Sequence, residues 1–164
     1  MLNMTDVCCW LRWRRILSVA FVLLGASTAG AVEDEVLVRV LTRAFFAQDL
    51  AIYCAQFDKN IMQKTSNKNG DVSDLAHHVR SEVILGLSAN EAAVVVQRSA
   101  NAARTGALLA IRRLYESDRD REQRRISEWC ERSVTPEIIQ YIRDHDDKHE
   151  AFVGVISAAK ISQP

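Results

Sequence analysis

Ser88-Ala-Asn-Glu91 has the form of a capping box: the serine hydroxyl can accept from the Glu91 amide, and the Glu91 side chain can return the bond. From there to about Tyr115 the chain holds no proline and a single glycine, Gly106. Such a stretch predicts one long helix, and its surface is unusual. Ala92, Ala93, Ser99, Ala100, Ala103, Ala107 and Ala110 leave only a narrow polar strip of Gln97, Arg98, Asn101, Arg104 and Thr105. A helix that is apolar or small around most of its circumference is a central one, and small side chains let neighbouring backbones come close. Tight helix packing is therefore expected near Gly106.

The rest of the chain has to surround that helix. Val36, Leu37, Val40, Leu41, Ala44 and Phe45 recur at three- and four-residue spacing and predict a helix reaching about Phe57. Asp58 to Asp71 is polar and contains Asn69-Gly70, so it reads as a loop with a short helical turn at Ile61-Met62. Leu75, Val79, Val83 and Leu87 form one stripe of a helix over about 73–87. The stretch 116–125 alternates in charge and is expected as a solvated linker or exposed helical turn, before a short helix carrying Ile126, Trp129 and Cys130. Thr135-Pro136-Glu137 predicts the start of a last helix, with Thr135 as N-cap and Pro136 at the first position, running to about Lys160. With only 2 prolines and 6 glycines in 164 residues, a many-turned β-sandwich is excluded. The expected architecture is all-α, a bundle of four to five helices with Leu37, Leu41, Phe45, Ile52, Val83, Leu109, Ile142, Phe152 and Ile156 in its core.

Residues 1–31 read as a secretory leader and 32–164 as a single domain. Arg12, Arg14 and Arg15 precede an uncharged run, Ile16 to Ala26, and small residues follow up to Ala29-Gly30-Ala31. Basic start, short apolar middle and A-x-A end are the parts of a signal peptide, with cleavage expected after Ala31. The apolar run covers only about half of a ~30 Å hydrocarbon layer as a helix, which favours cleavage over a retained anchor. Arg14-Arg15 also fits twin-arginine export, although Ile16-Leu17-Ser18 departs from that pattern beyond the arginines.

Two cysteines remain after cleavage, Cys54 and Cys130. An even count in an exported chain predicts a disulfide, and Tyr53, Phe57 and Trp129 beside the cysteines predict that it is buried. Closing so long a loop is worth roughly 4–5 kcal/mol in the chain-entropy model. No C-x-x-C follows the leader, which argues against a redox pair.

Charge removes whole classes of partner. Lys plus Arg and Asp plus Glu both number 21, and the leader carries away three arginines and one aspartate. A domain close to neutral, with a slight acidic excess, offers nothing to nucleic acid or to an anionic membrane, and no stable membrane insertion is expected once the leader is gone. Phosphate-binding glycine loops, the G-x-S-x-G elbow and C-x-x-C-H are all missing. The loop beginning at Thr65 lacks both essential ends of an EF-hand, since Ala76 stands at position 12.

The suggestive chemistry lies in the last helix. Ile138, Ile142, His145, His149, Phe152 and Ile156 follow one another at spacings of four and three, which puts two histidines on an apolar face. Histidines at i, i+4 can share a transition metal, and His77-His78 on another helix can add to them; the same placement makes a pH switch. H-E-x-x-H is absent. Arg98, Asn101 and Arg104 are candidate ligand-binding residues, or simply a solvated strip. Three readings follow. The first is a periplasmic or secreted non-enzymatic factor that binds, inhibits or relieves stress on another envelope or secreted protein. The second is a metal-binding or pH-responsive bundle using His145 and His149, with a transition metal as its only cofactor. The third is an enzyme assembled from separate helices, with Asp49, Arg98 or His145.

Overall fold

The computed structural model describes residues 29–115 and 117–161. It is all-α. Helix α1 spans Ala29–Cys54, α2 Ile61–Lys64, α3 Val72–Ile84, α4 Ala89–Arg112, α5 Arg119–Trp129, α6 Thr135–Asp147 and α7 His149–Ile161, with a π-helical turn at Cys130–Val134 joining α5 to α6. The one β-type pairing among the described residues is an isolated bridge, Asn67 to Gly70. The apolar run of the leader lies outside the described residues. The Ala31–Val32 bond falls inside α1.

Local chemistry sets the helix starts. Ser88 and Glu91 form the expected capping box, with Ser88 N–H donating to Glu91 Oε2 at 2.8 Å and Glu91 N–H donating to Ser88 Oγ at 3.3 Å. Asp71 and Asp74 make a second one at the start of α3. Gly70, at φ +115°, leads into it, and a Cβ there would collide with the Asp74 side chain that completes the box. Asp118 accepts from the amides of Asp120 and Arg121, so the mixed-charge stretch becomes helical from Arg119 onward, with Ile126 its buried residue.

Helices α1 and α4 make the most extensive contact and run in the same direction, as Arg98 beside Glu35, Ser99 beside Val38 and Gly106 beside Phe46 require. The contact face of α4 is the stripe Val95, Ser99, Ala103, Ala107 and Ile111, spaced by four. Ser99 Oγ donates to the Val38 carbonyl at 3.1 Å, and the Phe46 ring lies 3.3 Å from where a Cβ on Gly106 would stand. The close approach expected there is present.

Two clusters form the core. One surrounds Cys54 and Cys130 with Leu50, Ala51, Ile61, Val72, Ile126 and Ile138; the other gathers Leu37, Leu41, Val79, Val83, Val95 and Ile156. The sulfurs of Cys54 and Cys130 are 2.00 Å apart and the Cα atoms 5.6 Å apart, so the expected disulfide tethers the end of α1 to the π turn, with Tyr53, Phe57 and Trp129 packed against it.

Four expectations need correction. Ile52 and Leu109 are not core residues; they are 51% and 53% exposed. The α1–α4 seam is built from small residues at 44, 47, 51, 103 and 107, and positions 52 and 109 are rotated away from it. Phe45 and Phe152 are only half-buried. Thr135 is not an N-cap: it has helical dihedrals, and both its N–H and its hydroxyl bond to the Cys130 carbonyl. The last helix is not continuous, because Lys148, at φ −121° and ψ 23°, separates α6 from α7.

Candidate functional site: a histidine cluster under the C-terminal helix

The capping box of α3 fixes where its second turn lies, and His78 stands there facing the junction of α6 and α7. His145 is in the last turn of α6 and His149 opens α7. Their rings form a closed set. The centroids are 5.3 Å apart for His145 and His149, 6.0 Å for His78 and His145, and 5.7 Å for His78 and His149. Phe152 closes one side, its centroid 4.8 Å from His145 and its plane tilted 65°. The sequence spacing that put His145 and His149 on one face is thus realised, and the hint from His77-His78 resolves to His78, since His77 makes no ring contact with the cluster.

His145 is the unusual member. Its side chain is only 6% exposed, and neither ring nitrogen has a hydrogen-bond partner. Asp146 Oδ1 lies 3.9 Å from Nδ1, within electrostatic reach and beyond hydrogen-bond length. That carboxylate is held elsewhere, accepting from Asn67 Nδ2 at 2.6 Å and Asn69 Nδ2 at 3.2 Å. Burial holds His145 below its ordinary value of 6.5; His149 and His78 push the same way, and Asp146 opposes them. The imidazole is accordingly neutral at neutral pH.

Among the described residues no group of three or more His, Cys, Asp or Glu side chains is placed to hold a metal ion. His145 and His149 are neighbours all the same, with His78 beside both. Next to it, an open cleft of about 280 Å³ lies between α6 and the segment 64–67, lined by Lys64, Asn67, Ile142, Arg143, Asp146 and Asp147.

Arg98, Asn101 and Arg104 are exposed on α4 and do not line that cleft. Arg98 pairs with Glu35 at 3.1 Å. Arg104 faces Asp49, whose carboxyl is pushed up by partial burial against the pull of that guanidinium. The strip thus lies along an ionic seam between α1 and α4. Asp49 has Arg104 as its charged neighbour, Arg98 has Glu35, and His145 has His78, His149 and Asp146, so the residues of the enzymatic reading share no neighbour.

Two features escaped the sequence. Tyr141 carries Arg43 4.8 Å above its ring, and burial pushes its hydroxyl up to about 12, with Arg43 opposing. Lys160 Nζ donates to the carbonyls of Glu82 and Leu85, both at 2.6 Å, at the C-terminal end of α3. A basic residue near a predicted helix end is a weak sign of such a clasp, but nothing in the pattern says which helix it reaches. Among the described residues no helix is long and apolar enough to cross a membrane. Known family models, curated proteins and solved structures yield no match to this chain.

Proposed function

We propose that this protein is an exported, non-enzymatic helical binding factor whose C-terminal helix responds to acid through His145. The observation that carries this reading is the buried imidazole of His145, which lacks a hydrogen bond on either nitrogen and lies between His78, His149 and Phe152. Histidine is the side chain whose charge changes between about pH 5 and 8. A proton arriving here places a charge on a packed, mostly apolar face, beside two further imidazoles. Export is supported by the leader pattern and by the buried disulfide, and a non-enzymatic role by the separation of Asp49 and Arg98 from the cluster. The partner class is another envelope or secreted protein. The test is an NMR titration of the imidazole C2–H signals of the full chain. The His145 signal is expected to titrate below 6.5, with loss of its contact to Phe152 at the acid end. A titration at or above 6.5, with the contact retained, would refute the reading.

A further inference from the structure

The acid response needs a moving part, and α7 has the makings of one. It has 13 residues, close to the length at which an isolated helix is marginal in water, so its docking has to hold it in place. Only Ile156 and Ala159 are fully buried, with Phe152 packed at the edge, while Val155 and Ile161 face solvent. Its N-terminal end is the histidine cluster, just past the helix break at Lys148; its C-terminal end is the Lys160 clasp on the carbonyls that close α3. Between these two attachments Ile156 and Ala159 enter the cluster formed by Leu37 and Leu41 of α1 with Val79 and Val83 of α3.

Building on the acid-sensing reading, we infer that α7 is a self-docked lid over the groove between α1 and α3, and that its release opens that groove to an amphipathic helix of a partner protein. The required partner can be read from the occupant. It presents an aromatic or large aliphatic residue, a β-branched residue four positions on and a small residue three further, matching Phe152, Ile156 and Ala159. A lysine immediately after the small residue reproduces the clasp of Lys160 on Glu82 and Leu85.

The charges around His145 decide whether acid releases the lid. From α3 come His78 and, 4.0 Å from it, Glu82. From α7 comes His149, and from α6 Asp146. Asp144 faces Lys148 at 3.8 Å. A proton on His145 puts a charge on a side chain only 6% exposed, and the nearest carboxylate, Asp146 at 3.9 Å, is already shared with Asn67 and Asn69. A buried charge without a hydrogen-bond partner is costly, and it falls at the end of α7 that is not clasped.

The test uses the full chain with a fluorescent peptide of residues 149–161 as probe, at about pH 7.5 and about pH 5. Amide exchange protection of α7 is expected to fall about tenfold relative to α4 in acid, and the peptide to bind only there. Lys160→Ala is expected to move binding to higher pH, and His145→Leu to keep α7 protected and the groove closed. A peptide with aspartate in place of Phe152 and Ile156 is expected not to bind. Unchanged α7 protection, or loss of protection without peptide binding, would overturn the lid. Acid-induced dimers that the peptide dissolves would assign the groove to a second copy and equally overturn the partner reading. If His145 titrates below 6.5 while α7 stays protected, only the lid fails; if it does not, acid sensing fails with it.

Discussion

A buried polar group without a partner costs free energy, and His145 meets that cost by staying neutral. The sign of the resulting pH dependence follows. Its folded value lies below the ordinary 6.5, so the unfolded chain takes up the proton first as pH falls. The stability linked to His145 is complete above 6.5 and is lost progressively between 6.5 and the lower folded value. Chemical denaturation of the full chain is expected to show this decline, and His145→Leu is expected to abolish most of it while leaving neutral-pH stability equal or up to about 1 kcal/mol higher. A decline of the same size in His145→Leu would place the acid sensitivity elsewhere. Gly106 carries a second expectation at this scale. Its missing Cβ makes room for Phe46, so Gly106→Val is expected to cost about 1–3 kcal/mol through overpacking, measured as a lowered denaturation midpoint. Both positions were visible in the sequence, His145 in an apolar stripe and Gly106 among the small residues of the long helix. That His145 lacks any partner was not, because it depends on Asp146 being occupied by Asn67 and Asn69, which lie far away in the chain.

At the scale of elements, the pattern was most legible where one segment decides its own fate. The capping box at Ser88 marked the start of α4 to the residue, since both of its bonds are local. Thr135-Pro136-Glu137 misled for a related reason. The triplet is a good helix start, yet the preceding segment is already helical and anchored by Cys130. Pro136 has no N–H, and its ring crowds the carbonyl four residues back, so an α-helix cannot pass through it undisturbed. The chain widens by one residue instead: the Thr135 N–H reaches back five positions to the Cys130 carbonyl, and its hydroxyl joins the same acceptor at 2.9 Å. Thr135→Val keeps the shape and removes that second bond. It is expected to lower stability by about 1 kcal/mol in a thermal or chemical melt, a cost an N-cap replacement would also give. Amide exchange separates the two: loosening is expected at the π turn between Cys130 and Val134, whereas a lost cap would fray the first turn of α6. The break at Lys148 was illegible because residues 147–149 contain neither glycine nor proline.

For the whole molecule, the disulfide and the C-terminal helix α7 belong to different core clusters. The bridge sits in the core cluster with Ile61 and Ile138, and α7 packs on the other with Leu37 and Val83; Leu75 and Tyr141 touch both. The pairing of Cys54 with Cys130 was readable from export logic alone, while the division of the core into two clusters needed the packing of small residues along α1 and α4. That division makes an additive prediction. Cys54 and Cys130 are 76 positions apart, so replacing both with alanine is expected to cost up to about 4–5 kcal/mol, a large part of the roughly 5–15 kcal/mol typical of a domain. Perturbations that share no contacts add to within about 0.5 kcal/mol. The loss of stability on acidification should therefore be nearly the same with and without the bridge, when both chains are unfolded by urea across the range below 6.5. A larger acid effect in the alanine pair would mean that α7 and the disulfide core are coupled, and Tyr141, packed against both clusters with Arg43 over its ring, is where that coupling would pass. A Tyr141→Leu chain then separates the cases: it restores additivity if the aromatic ring is the link, and leaves the excess in place if the helices move as one body.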